Sequence, residues 1–406
     1  LISPRIYGES FYNPKDIVFL SFLSIAVFFC FEFLENKKIR SLILLSFFSA
    51  ACIQTRIIGI FLPLSLLIFY FFSLISNGKE IYFAPKYALY ILLTLFFLYI
   101  SWPYLWENPI KNFLYIFINL SSITPDIKIF FNGKYVDVNY MPFNYLPTWI
   151  VISSPVINSF LFLIGSYFMF YRLFKRLISF EKLKLNKFDL WRSKKELQDL
   201  FILINFYTII IIFISFNITL VNSWRYAFFL NIFKIYIAAF ALNYLFIKFK
   251  NKKLILSLKC FVVFFLLVNL YKIYYFHPFQ GLYFNPFLTS KYKNSFEIDH
   301  SAVSGRDALT WIIKNTDIRE DDKIDIAVAS WSPLYRNVDA LEEKNKKLIN
   351  IVGQNYSDAD YIYTNNISEV DKTKDKKYDI PNTFNQVYKL LLDNIIVYEV
   401  YKREQK

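Results

Sequence analysis

Four charged side chains stand where the chain is otherwise apolar, and each is of a type that handles phosphate or protons. Arg5 and Asp16 lie ahead of the first apolar run, Arg56 lies between two runs, and Arg225 opens another. An ionised group at bilayer depth costs about 2.5 kcal/mol or more, so such a group commonly marks a site. Guanidinium groups grip phosphate oxygens through paired N–H donors. A carboxylate beside them accepts a proton or helps hold a divalent ion. The combination predicts a site for an anionic, lipid-linked substrate at one end of a helix bundle.

Each candidate also has a plainer reading. Pro14 suits an early helical position and Asp16 complements the positive helix terminus, so capping explains part of this segment. Lys15 would join Arg5 and Asp16 at the membrane interface as a phosphate contact. Arg56, followed by Gly59, sits too far from any basic loop to snorkel; its structural alternative is a salt bridge to Glu9 or Asp16. Trp224 and Tyr226 flank Arg225 with aromatic rings that suit an interfacial belt as well as a binding site. His277 reads as a hydrogen-bonded structural residue.

The elements that position these groups are membrane helices. Of the 406 residues, 56% are hydrophobic and 21% aromatic, with a mean hydropathy of +0.34, which excludes an ordinary soluble domain. Apolar runs fall at 17–35, 41–53, 57–76, 87–102, 149–171, 200–219, 226–247 and 254–272, giving eight candidate helices. The second and fourth are shorter than the roughly 20 residues a crossing needs and are expected to be tilted, broken or re-entrant. Basic residues gather at Lys37 to Arg40, Lys79 to Lys86, Arg172 to Lys195 and Lys248 to Lys253, and by the positive-inside bias these loops face the cytoplasm. Residues 1–16, Gln54 to Arg56, the loop 103–148, the turn Val221 to Arg225 and everything after 272 then face the other side. The loop 103–148, bounded by Pro and Trp, is expected to form a structured cap on the membrane surface.

Charge divides unevenly. Residues 1–272 carry 28 Lys and Arg against 12 Asp and Glu, and residues 273–406 carry 18 against 20, so the overall +14 belongs to the membrane part. That excess orients the bundle, and no nucleic-acid partner is expected. The expected architecture is mainly α: a polytopic bundle over 1–272 and a small extracytoplasmic α/β domain over 273–406. Strands are expected at Lys323 to Ala329 and Asn394 to Tyr401, helices at Arg306 to Lys314 and Asn385 to Leu392, and a loop at Thr373 to Pro381. Cys30, Cys52 and Cys260 sit in or beside apolar runs, which fits neither a disulfide framework nor a metal cluster. No phosphate-binding glycine loop, dinucleotide fingerprint or zinc-protease helix is present.

Taken together, Pro4-Arg5, the stretch from Asn13 to Asp16, Thr55-Arg56 with Gly59, Trp102 to Trp106 with Pro109, Asn222 to Arg225, and His277-Pro278 with Tyr283 and Asn285 resemble bacterial protein O-mannosyltransferase-like members of the GT-C glycosyltransferase superfamily. The resemblance runs to about Trp311. It implies an inverting transfer of a sugar from a polyprenyl-phosphate carrier to an acceptor outside the cytoplasm, in the bacterial inner membrane. On this basis Asp16 is the candidate catalytic residue, and Arg5, Lys15, Arg56, Trp224, Arg225, Tyr283 and Asn285 are candidate substrate contacts. No cofactor is implied beyond a divalent ion, which stays open. The family's main catalytic acid lies in a loop after the first membrane helix, and this sequence is expected to begin beyond it, leaving the chain inactive alone. Asn222-Ser223 and Asp299-His300 depart from commoner family spellings, so the acceptor stays open among protein, lipid and glycan. Two other functions compete: a transporter or flippase of a lipid-linked substrate, and a non-catalytic membrane assembly subunit.

Overall fold

A computed structural model describes residues 3–75, 84–122, 125–183, 190–317 and 323–404. Most of the basic loop Lys79 to Lys86, and residues 184–189 of the second basic segment, lie outside the described residues.

The chain begins with a short helix, α1 (Pro4–Tyr12), and turns at Asn13 into α2 (Pro14–Asn36). Proline opens both helices, where its missing N–H is no loss. The Asn13 side chain caps α2 by accepting from the Asp16 amide at 3.2 Å. Seven further apolar or amphipathic helices and two longer ones follow: α3 (Ile39–Thr55), α4 (Phe61–Ile75), α5 (Ala84–Ser101), α6 (Pro109–Ser122), α7 (Tyr145–Ser153), α8 (Val156–Leu183), α9 (Lys194–Ser215), α10 (Leu230–Lys248) and α11 (Lys252–Tyr275).

Among the described residues five helices are long and apolar enough to cross a membrane, namely α2, α8 as far as Ile178, α9, α10 and α11. The chain is therefore an integral membrane protein. The expectation of eight spans is met only in part, because the helices in the regions of α3, α4 and α5 are shorter. The expected single helix over 149–171 is instead two, α7 and α8, interrupted at Ser154-Pro155. Proline disfavours the helical conformation in the residue before it, and Ser154 is extended.

Helix directions follow from side-chain pairs. Phe19 meets Phe229 and Phe31 meets Tyr236, so α2 and α10 run parallel. Arg172 pairs with Asp199 and Phe162 with Phe206, so α8 and α9 are antiparallel. At one end of the bundle gather the starts of α2, α8 and α10 and the ends of α3 and α9. At the other, Arg176 bonds Glu196 at 2.9 Å and Lys194 donates to the Glu35 carbonyl at 2.9 Å. The α8–α10 crossing is close because Gly165 has no side chain: a Cβ there would lie 2.1 Å from the Ile237 carbonyl oxygen.

The connection from α5 to α7 is structured, as expected. It holds α6 and a hairpin of β1 (Lys128–Phe131) and β2 (Lys134–Asp137). The C-terminal part adds α12 (Ser290–Lys293), α13 (Gly305–Lys314) and a five-stranded sheet. Its strands are β3 (Ile324–Val328), β4 (Ile349–Gly353), β5 (Tyr361–Thr364), β6 (Phe384–Leu392) and β7 (Ile395–Arg403), in the order β4-β3-β5-β7-β6. β3 is parallel to β4 and β5, and the remaining pairs are antiparallel.

The strands expected near 323 and 394 are present, and so is the helix at 306–314. The helix expected over Asn385 to Leu392 is corrected to strand β6. Asp393 and Asn394 both adopt positive φ, at 54° and 64°, and make a tight hairpin turn that commits the preceding residues to pair with β7. Residues 373–381 are irregular, as expected.

Candidate functional site

The charges fall together at the end of the bundle where α2 begins and α3 ends. Helical spacing on α1 and the next turn turns Arg5, Glu9, Asn13 and Asp16 to the inside, and all four are buried. Asn13 donates its amide to a Glu9 carboxylate oxygen at 2.9 Å. Arg5 lies between the rings of Trp149 and Phe284, 5.3 and 5.2 Å from their centres, and donates to the Tyr283 carbonyl at 3.2 Å. Burial pulls the Arg5 guanidinium down to about 10, opposed by the Glu9 charge. The Glu9 carboxyl is pushed up, first by burial and against the pull of Asn13, Arg5 and Arg225.

Arg56 stands at the C-cap of α3 and forms an ion pair with Asp16. The chain then doubles back through a 3₁₀ turn, Ile57–Ile60, packed so tightly on α3 that a Cβ at Gly59 would lie 2.6 Å from the Cys52 carbonyl carbon. Tyr226 joins the two free ends of the cluster. Its ring carries Arg56 at 4.4 Å and Arg225 at 5.1 Å. Of the two partners foreseen for Arg56, Asp16 is the one it takes.

Arg225 is aimed by a turn with two successive left-handed residues, Asn222 and Ser223, at φ 60° and 61°. Asparagine tolerates that conformation, but serine pays for it, and the Tyr145 hydroxyl holds the turn by donating to the Ser223 carbonyl at 3.2 Å. With its amide oxygen turned toward Arg225, Asn222 accepts from both terminal guanidinium nitrogens at 3.1 and 3.3 Å.

The remaining candidates divide. Lys15 is exposed, about 100° around the helix from Asp16, and does not join the cluster. Trp224, Tyr283 and Asn285 are buried and engaged within the fold. The Trp224 indole N–H donates to Ser153 at 2.8 Å. Tyr283 offers its carbonyl to Arg5, and the Asn285 amide donates to the carbonyls of Val151 and Ser154 at 2.6 and 2.7 Å, closing the end of α7. We therefore carry these three as positioning residues. His277 is structural, its Nδ1 lying 3.1 Å from the Gln280 amide nitrogen.

Several members were not singled out from sequence. Glu9 was signalled by its four-residue spacing from Arg5 and Asn13. Asp299 and His300 had no local signal, because the tail folds back over the bundle to bring them in. Asp299 accepts from the amides of Val303 and Ser304 at 2.8 and 3.2 Å, yet burial outweighs these bonds and raises its carboxyl to about 6. His300 is held well below its usual value by burial and by the Arg225 and Arg5 charges, so its ring is neutral at physiological pH. Its Nδ1 has no partner among the described residues. A small void of about 10 Å³, room for one water, lies among Glu9, Tyr12, Asp299 and His300. His300 also borders a cavity of about 550 Å³ that Asn222 and Arg336 line, so the charged cluster adjoins a space of small-molecule size.

Among the described residues no group of three or more His, Cys, Asp or Glu side chains comes together to hold a metal ion. Asp16, the carboxylate expected to serve one, is spent on Arg56, so no metal-dependent step is assigned. In the membrane part Lys234 of α10 is also buried and bonds to Ser154, a polar pair that the apolar run concealed. Comparison of the chain with protein-family models, with curated proteins and with solved structures returns no match.

Proposed function

We propose that this protein belongs to an integral membrane glycosyltransferase that takes a sugar from a polyprenyl-phosphate carrier and delivers it to an acceptor outside the cytoplasm. The observation that carries this reading is the cluster of Arg5, Arg56 and Arg225 around Glu9 and Asp16 at one end of the apolar helices, beside the 550 Å³ cavity. Guanidinium groups held on aromatic rings keep a fixed orientation and stabilise a departing lipid phosphate. Arg225 is the best placed for this, since its partners are the neutral Asn222 and Tyr226. Asp16 would take the acceptor's proton once Arg56 turns from it to the phosphate. The GT-C likeness, the bacterial inner membrane and an extracytoplasmic site belong to this same reading.

The test is binding of undecaprenyl phosphate to the purified protein, followed by native mass spectrometry. Arg225→Ala and Arg56→Ala should each weaken binding about tenfold, or ~1.4 kcal/mol, with the helical content intact. Unchanged binding in both overturns the assignment. A second reading, a non-catalytic assembly subunit, draws on the Arg56–Asp16 pair closing on itself inside the fold. It is favoured if Asp16→Ala and Arg56→Ala lower stability while leaving lipid-phosphate binding untouched.

A further inference from the structure

Away from the charged cluster, the β1–β2 hairpin and the C-terminal sheet enclose a cavity of about 360 Å³. Phe130, Tyr135 and Phe296 form an aromatic wall, with the Phe130 and Tyr135 rings paired across the hairpin at 5.0 Å. Glu297 and Lys372 supply charge to the lining. The Glu297 amide donates to the Phe130 carbonyl at 2.9 Å, which fixes the residue against the hairpin.

Glu297 is only 5% exposed, and neither oxygen of its carboxyl has a hydrogen-bond partner among the described residues. Leaving such a group unpaired costs about 1–3 kcal/mol or more, and folded proteins leave few of them. An unpartnered carboxyl on the wall of a cavity is accounted for by a ligand that brings the missing donors. The lining mixes signs, with Glu297 and Glu399 facing Lys372, which suits a neutral polar molecule better than a simple ion.

We propose that this cavity is a saccharide-binding site, in which the apolar face of a sugar ring rests on the Phe130–Tyr135 wall and its hydroxyls bond Glu297 and Lys372. A space of this size with aromatic walls and few convergent polar groups has the anatomy of a small-molecule site. The inference rests on the cavity alone and stands or falls separately from the lipid-phosphate site.

Glucose, mannose, galactose and N-acetylglucosamine are titrated into the full chain in detergent and followed by saturation-transfer NMR. At least one should bind saturably, with a dissociation constant on the order of 1 mM. Glu297→Leu should weaken that binding tenfold or more while holding or raising the melting temperature, because it removes an unpaired buried carboxyl. If Glu297→Leu does not fold, Lys372→Met and Tyr135→Ala carry the same test, each expected to weaken binding about fivefold. Failure of all four sugars to bind saturably, undiminished binding in the folded variants, or capture of tetramethylammonium in place of any sugar would overturn the proposal.

Discussion

Arg5 carries its charge in one of the most enclosed places in the molecule, held between two aromatic faces with Glu9 one helical turn away. Removing it would strand a buried carboxylate, and breaking such a pair costs about 3–5 kcal/mol. Arg5→Ala should therefore lower resistance to SDS unfolding by that order. Arg5→Lys should recover little of it, because an ammonium cannot lie flat between two rings. Glu297 sets a pH dependence of its own. Burial raises its carboxyl from 4.5 to about 8, against the pull of Arg225. The folded state then holds a proton that the unfolded chain has released, so stability from this group falls as pH climbs through that window and is fully present only below it. Melting temperature measured against pH should decline between 4.5 and about 8, and Glu297→Gln should flatten the decline. An equal decline in the variant would assign the dependence elsewhere, with Asp299, raised in the same direction, the first group to examine. The candidate site was legible from sequence where a charge interrupts an apolar run, as at Arg56 and Arg225. Glu297 and His300 were not legible, because an acid or histidine in a polar tail looks like ordinary surface until the tail is folded over the bundle.

At the scale of elements, hydrophobic runs revealed the helices but not their joints. Pro155 divides a run that reads as one helix, and the break frees the Ser154 side chain and carbonyl for Lys234 and Asn285. Strand β6 was misread because Asn385 to Leu392 contains residues that suit a helix; its pairing with β7, through the left-handed Asp393-Asn394 turn, overrode that preference. Lys293 on α12 anchors the same turn, its ammonium 2.7 Å from the Asp393 carboxylate. The α8–α10 crossing depends on a missing side chain. Gly165→Leu should force those helices apart and cost about 2 kcal/mol or more, whereas Gly353→Ala, with nothing within 4 Å of its added carbon, should lose only the ease of a positive φ of 65°. Comparable losses for the two would mean that the crossing is looser than described.

Across the whole molecule, basic residues gather at the end of the bundle away from the arginine cluster. On the proposed orientation Lys38→Cys should react with a membrane-impermeant maleimide only from the cytoplasmic side, and Lys372→Cys only from the other. The background is Cys260→Ser, since Cys30 and Cys52 are buried. Labelling of both from one side would invert or abolish the assigned topology. The division at residue 272 was legible as a change in charge density, but the depth of the join was not. A single body of buried side chains runs from Phe19 and Phe229 in the helices through Tyr145, Trp149 and Phe296 to Tyr363 and Tyr398 in the sheet. The C-terminal part is therefore less a bead on a tether than the head of a bolt threaded into the bundle. Any torque on the outer β-layer, from a partner or a passing glycan, would be transmitted without slack to the roots of the helices that hold the arginines.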